Sequence, residues 1–523
     1  MTLTLNNARR FLGTVSLSDL PLLLFMIVYS FLLFQNLGYS SPAWDEAVQM
    51  QSGVDMSRMA PSFFSNPIYT IKAYIRWYPY FPPLNAVLLA FSYAIPGISE
   101  FSARLVPVLL GLLGLAVTYF AGRKAWGRTA GIIASITLAA TPIYFNMSRV
   151  AMVDIPVTTF FALSLLLFYS GYEHKKYGHL IFSGVFLAIA FLAKYPALLA
   201  LPIMAAYMVL KRFYFRNGLS WRAIACFSLA LELALFLVLP WSYILTTTTT
   251  SWRGWYKQVE PGKEYKWLMA ENWLGSCQVI IKQMTWILAI FAVLALVYAL
   301  WSRKKVDLFL VGWVAVIFLA FVPIHKDPRY TMLYLPAFAL MIGRFITDAG
   351  KRINVLFSSG GLHAARNIGR IAQFFLVVVL VALLTCPQFV SYGTRPAGLS
   401  VPLYDTFQYV VPHTPSGSYI VVLLQCNYFS QPAAYFYLSM VGGRGIHIDA
   451  YPGRAVDWYD PGPLNITDLG EFCADKNAVY VLLWSGSQYA DQWLPVLLNA
   501  HNFNLETRIG EPNNWIYIFK YLG

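Results

Sequence analysis

The chain is predicted to be a polytopic α-helical membrane protein of about 11–13 spans, followed by a small extracytoplasmic α/β domain. Three observations predict this. Of 523 residues 58% are hydrophobic and only 12% charged, with mean hydropathy +0.55, whereas a soluble domain carries roughly a quarter charged residues. Apolar runs of about 20 residues, the length that crosses a bilayer, recur along residues 20–392. Beyond 393 they give way to short apolar segments alternating with amphipathic ones. The net charge of +14 is gathered in short clusters between the apolar runs. That pattern is the positive-inside rule and not a nucleic-acid surface.

Eleven runs qualify in chain order, at 20–38, 104–122, 129–147, 150–171, 178–194, 196–212, 221–246, 276–301, 305–323, 329–348 and 370–392. The run at 84–95 is short and bracketed by Pro82-Pro83 and Pro96-Gly97. If it does not cross, then Arg9-Arg10, Arg123-Lys124, Lys175-Lys176, Lys211-Arg212, Arg303 to Lys305 and Lys351-Arg352 all fall on one side. That side is the cytoplasm. The 84–95 run is therefore expected to be interfacial or re-entrant. The expected placement is a multi-pass protein of the plasma (inner) membrane, N-terminus cytoplasmic, with 39–103, 247–275 and 393–523 outside. The first apolar run shows no cleavage site and is read as an uncleaved span. The outer segment 39–103 is rich in aromatic residues and proline, as at Trp77 to Pro83, and is expected in the membrane interface.

In the C-terminal region, Tyr419 to Gln425, Ala478 to Trp484 and Trp515 to Lys520 read as strands. Gln431 to Met440 and Tyr489 to Ala500 read as helices. The predicted domains are thus 1–392, spanning the membrane, and 393–523, outside it. Five cysteines show no metal-binding spacing. Cys426 and Cys473 lie where a disulfide is permitted but not indicated.

Ionisable groups at bilayer depth are costly to keep, so those near the outer span ends stand out. Asp45-Glu46 follow the first span in a chain with only 24 acidic residues. They suit an N-cap and first turn of a helix, and equally a general base. Asp154 lies about one turn inside a span, with Arg149 five residues earlier, so either a structural Arg–Asp pair or a functional carboxylate fits. His325-Lys326-Asp327-Pro328-Arg329-Tyr330 places cations outside, against the charge rule. Lys326 and Arg329 can converge on a phosphate, or on anionic lipid headgroups, with His325 as a hydrogen-bonding neighbour. Lys194 suits phosphate contact or snorkelling. Lys72 and Arg76 are weaker candidates of the same type. Cations stabilise a phosphate leaving group and a carboxylate deprotonates an acceptor, so the set describes group transfer from a lipid phosphate.

These residues carry a resemblance. Asp45-Glu46 after the first span, Pro82-Pro83-Leu84 with Arg104, Ser148-Arg149 with Asp154, Pro240-Trp241, and Lys326 with Arg329-Tyr330 and Pro336 are similar, in order and spacing, to motifs of the GT-C class of membrane glycosyltransferases. Within it the chain most resembles the protein O-mannosyltransferase and lipid A aminoarabinose transferase superfamily, over about residues 20–345. The glutamate-lysine-proline pattern of the aminoarabinose enzymes is absent, with Tyr80-Phe81-Pro82-Pro83 in its place. The resemblance implies inverting transfer from a polyprenyl-phosphate sugar to a glycan, lipid or protein acceptor. Asp45 matches the base, Glu46 and Asp154 the acidic residues of the same pocket, and Lys326 and Arg329 the positions near the donor phosphate, with Lys194 and Tyr330 beside them. No cofactor is indicated. Some relatives bind a divalent metal, for which Glu46 and Asp154 would be the ligands. The alternative reading is a transporter or lipid flippase. A secondary transporter often shows internal repeats with midplane sites; here no repeat is evident, and the polar groups gather at one face.

Overall fold

The computed structural model describes residues 20–78, 81–216, 269–323, 327–358, 400–453 and 461–523, with isolated positions between 221 and 232. The expected spans 221–246 and 370–392, the Pro240-Trp241 motif, His325 and Lys326 lie outside the described residues.

The chain forms two compact units. The first comprises residues 1–35, 68–84 and 107–393, and its described secondary-structure elements are all helices. Its helices are α1 (Leu20–Phe34), α3 (Pro67–Trp77), most of α5 (Glu100–Trp126), α6 (Arg128–Ala139), α7 (Pro142–Met147), α8 (Asp154–His174), α9 (Tyr177–Ala193), α10 (Ala200–Phe213), α11 (Ala270–Gln283), α12 (Trp286–Ser302), α13 (Lys305–Phe321) and α14 (Leu335–Ser358). Among the described residues, four helical segments are long and apolar enough to cross a membrane. Small residues and buried hydroxyls join these helices, since apolar contact alone gives little preference for protein over lipid. Gly122 and Gly131 bring α5 and α6 into backbone contact. Ser164 and Ser183 each donate to the other's carbonyl at 2.8 Å across the α8–α9 hairpin.

Two expected spans are not straight. The 276–301 run breaks between α11 and α12, which meet at a bend of 116°. The reason is tertiary: the Gln283 amide at the end of α11 is drawn to the segment 328–334, donating to Thr331 Oγ1 at 2.7 Å and accepting from Tyr334 Oη at 2.5 Å. The 129–147 run breaks at Ala140-Thr141, where Pro142 starts α7. Proline lacks the amide needed to continue the ladder.

The second unit comprises 36–67, 85–106 and 394–523. It holds α2 (Trp44–Ser65), α4 (Leu84–Tyr93), the start of α5 and the C-terminal α/β domain. At ten residues α4 is too short to span, in line with the reading of 84–95. It docks on α2, where Asn85 donates to Gln49 at 2.8 Å and Tyr93 to the Met50 carbonyl at 3.2 Å. Gly53 allows the close approach: a Cβ there would collide with Leu89 and lie 3.1 Å from the Tyr93 ring. Gly53→Val is accordingly expected to destabilise the unit by about 1–3 kcal/mol. A lowered melting temperature checks this, and an unchanged one would deny the packing.

The C-terminal domain is a five-stranded sheet of order β2-β1-β3-β5-β4. β1 (Tyr419–Leu423) pairs in parallel with β2 (His447–Tyr451) and β3 (Ala478–Trp484), while β5 (Asn514–Tyr521) is antiparallel to β3 and β4 (Phe503–Glu511). Four helices accompany it: α15 (Leu403–Val410), α16 (Gln431–Met440), α17 (Ile466–Lys476) and α18 (Ala490–Leu498). Asn465 caps α17, its side chain accepting from the Thr467 and Asp468 amides. Cys426 and Cys473 are both buried, and Cys473 is a free thiol. Burial pushes the Cys473 thiol up to about 12, so it stays protonated at neutral pH.

Candidate active site

The Asp45-Glu46 pair opens α2. The N-cap is Ala43, not Asp45 as one reading of the sequence had it, and both acids lie in the first turn. There they face the positive end of the helix dipole. Successive helical residues point about 100° apart, so two adjacent carboxylates cannot share a face. Asp45 is exposed and Glu46 is buried. Arg104, itself buried near the start of α5, closes on Glu46 as a fork: Nε donates to Oε1 at 2.8 Å and Nη2 to Oε2 at 3.1 Å. Its Nη1 donates to the Leu37 carbonyl at 2.8 Å, tying the turn before α2 to the same guanidinium. Such a bidentate pair is both strong and geometrically restrictive.

The C-terminal domain completes these surroundings within the same unit. Burial and then the Glu46 charge hold the Tyr428 hydroxyl above its ordinary value. Burial and Glu100 raise Tyr437 well above it. Both phenols therefore remain neutral donors beside the acids.

Lys194 and Arg329 of the first unit belong to a second cluster. Asp154 is the first residue of α8 and is buried. Its partner is Lys194, which ends α9 in extended conformation: Nζ to Oδ1 is 2.8 Å. The structural Arg149–Asp154 pair, one of the two readings open from sequence, is thus not formed. Arg149 instead donates to the Leu32 and Gln35 carbonyls at 3.3 and 2.6 Å. Lys194 Nζ also stands 4.8 Å from the centre of the Tyr330 ring. Tyr330 belongs to the 3-10 turn Pro328–Tyr334, which Asp327 caps by accepting from the Arg329 amide at 2.9 Å.

Asp327 has a second task. Its Oδ2 accepts from Arg329 Nε at 2.9 Å and Nη2 at 2.7 Å. Burial pushes the Asp327 carboxyl up, but these hydrogen bonds and the charges of Arg329 and Lys194 together hold it below the usual range. Among the described residues the cluster thus pairs two cations, Lys194 and Arg329, with two anions, Asp154 and Asp327. Partly buried charges are kept only when compensated. Asp327 had no role in the sequence reading, although Asp before Pro at a helical first turn signals a cap. Lys72 and Arg76 stand exposed on α3, beside exposed Ile68, Tyr69 and Trp77.

Metal binding has little to work with at either cluster. Glu46 presents both oxygens to Arg104. Among the described residues no group of three or more His, Cys, Asp or Glu gathers. Asp154 Oδ2 is buried without a hydrogen-bond partner among them, but it offers a single oxygen beside a lysine. Among the described residues, Glu46 held by Arg104 and Asp154 held by Lys194 are poor ligands for a divalent ion.

The sequence model of the family described as dolichyl-phosphate-mannose-protein mannosyltransferase matches residues 81–244. That stretch includes Arg104, Arg149, Asp154 and Lys194 but not Asp45-Glu46. An uncharacterised protein of Aquifex aeolicus is 27% identical over 194 residues, which is 36% of this chain and 38% of that protein's length. The crystal structure of ArnT from Cupriavidus metallidurans in the apo state is similar over 96% of this chain and 98% of that one, with TM-score 0.65 at 13% identity. The fold is that of the GT-C membrane glycosyltransferases. The archaeal oligosaccharyltransferase AglB from Archaeoglobus fulgidus shares this GT-C fold over 95% of this chain and 74% of its own, with TM-score 0.55 at 11% identity. The apolar helices and this fold mark a multi-pass membrane protein, with the mixed sheet in its C-terminal region.

Proposed function

We propose that the protein is an inverting glycosyltransferase, hexosyl or pentosyl, that moves a sugar from a polyprenyl-phosphate donor to a glycolipid, polysaccharide or protein acceptor. The reaction would take place on the outer face of the plasma membrane, with the N-terminus in the cytoplasm. The observation that carries this reading is the division of the acidic pair: Glu46 is closed in the Arg104 fork while Asp45 stands exposed at the head of α2. In the proposed step Asp45 takes the proton of the acceptor hydroxyl or amine as its oxygen or nitrogen bonds to the anomeric carbon. The bond from that carbon to the phosphate oxygen breaks on the opposite side. Polyprenyl phosphate leaves with the electron pair, and the proton ends on Asp45.

Arg329 and Lys194, with Lys326 of the same motif, are assigned to the donor phosphate. The ion pairs to Asp327 and Asp154 hold the two described cations in place until an anion joins them. Support for the donor class comes from relatives of this fold: one ArnT structure is bound to undecaprenyl phosphate, and the AglB structure contains dolichol-phosphate.

The test is release of polyprenyl phosphate by purified full-length protein offered a panel of polyprenyl-phosphate sugars. A charge-assisted hydrogen bond contributes about 1.5–3 kcal/mol. Arg329→Ala is therefore expected to raise the donor KM roughly ten- to hundredfold, with Arg329→Lys recovering part. An unchanged KM in Arg329→Ala would remove the phosphate assignment. Transbilayer movement of a lipid without release of polyprenyl phosphate from any donor would favour a flippase instead.

A further inference from the structure

The geometry points to Asn427, in the C-terminal domain, as a positioning residue for Asp45: it caps the helix that carries the proposed base. The inference rests on that reading of Asp45. The first four amides of a helix lack partners within it, and a side-chain oxygen at the N-cap usually supplies one. The α2 helix has Ala43 at this place, with no side-chain cap. The missing acceptor comes from 383 residues away, where Asn427 Oδ1 accepts from the Trp44 amide at 3.2 Å.

The loop that presents Asn427 is itself held. It follows β1, at the carboxyl end of a parallel strand, where such sheets present their functional groups. Leu424 donates to the Tyr451 carbonyl at 3.1 Å and Cys426 to the Phe429 carbonyl at 2.8 Å. Gln425 accepts from the Gln431 amide at 2.9 Å. A second clasp sits three residues before Trp44. Buried Ser41 Oγ accepts from the Val401 amide at 2.9 Å and donates to the Val401 carbonyl at 3.1 Å. The turn 41–44 is therefore held at both ends by the C-terminal domain. Asp45 is the next residue, so its backbone has little freedom left.

Two readouts test this on the full-length protein. Loss of one cap corresponds to about a fivefold change in an equilibrium constant. Asn427→Ala is expected to lower kcat about fivefold or more, with donor KM unchanged, and to speed hydrogen exchange at the amides of residues 44–46 by a similar factor. Asn427→Asp keeps an acceptor oxygen and is expected to restore slow exchange and most of kcat. Unchanged exchange and kcat in Asn427→Ala would overturn the inference. So would failure of Asn427→Asp to rescue either, or a lower melting temperature with kcat per folded molecule intact. Full activity in Asp45→Asn would instead remove the base assignment, leaving hydrogen exchange alone to judge the cap.

Discussion

Asp45→Asn is expected to lower kcat for sugar transfer by about a thousandfold, within the range that a positioned general base contributes. The substitution is isosteric and removes only the basic oxygen. Asp45 is exposed in the first turn of α2, where its charge meets the positive end of the helix dipole, an interaction of about 0.3–1 kcal/mol at a surface site. A nearly unchanged melting temperature should accompany the lost turnover. The donor KM should also hold, because the phosphate is assigned to cations and not to Asp45. Asp45→Glu adds one methylene and should recover only part of the rate. Initial rates of polyprenyl phosphate release, together with melting curves, separate these outcomes. A rate for Asp45→Asn within tenfold of the wild type would sink the assignment.

The second large effect concerns stability. Arg104→Met is expected to cost about 3–5 kcal/mol, the range for a buried ion pair robbed of one partner. Glu46 would then lose its bidentate counter-ion inside the protein, and the Leu37 carbonyl would lose its donor. Glu46→Gln takes the fork from the guanidinium and leaves it the weaker charge interaction with Glu100. The double variant Arg104→Met/Glu46→Gln places no charge there and should be more stable than either single variant. A double-mutant cycle on unfolding midpoints reads this coupling directly. Additive losses, or single losses below about 1 kcal/mol, would mean that the fork is not what holds the head of α2. Recovered stability need not restore transfer, since the turn from Leu37 to Trp44 would still have lost the guanidinium that binds it.

Legibility varied from element to element. The helix Gln431–Met440 and the strand Ala478–Trp484 coincide with the sequence reading. Both are apolar runs with sharp ends, and burial on both faces leaves a local pattern. β2 and β4 were missed. β4 is an edge strand, exposed along most of its length and carrying Asn504, Glu506 and Arg508, so it shows little apolar alternation. β2, the opposite edge, is five residues long and opens with a histidine. The helix α17 was missed as well, although Asn465 with Asp468 three residues on is a capping signal. The bend between α11 and α12 has one local signal, Thr285 as the N-cap of α12, while the partners of Gln283 around 328–334 could not be read from sequence.

The site divides in the same way. Sequence alone determined that the protein lives in a membrane, that an acidic pair follows its first long apolar run, and that cations stand near the ends of later ones. Hydropathy and charge are local sums, and a linear reading adds them without loss. Which groups are paired is a different kind of fact, because each pairing joins residues far apart in the chain. Glu46 meets an arginine 58 residues on, Asp154 a lysine 40 on, and the Trp44 amide an asparagine 383 on. Only the tertiary structure decided that Glu46 is locked in a fork and that Asp45 faces outward. Once Arg104 claims Glu46, the 100° step of the helix turns its neighbour to the exposed side.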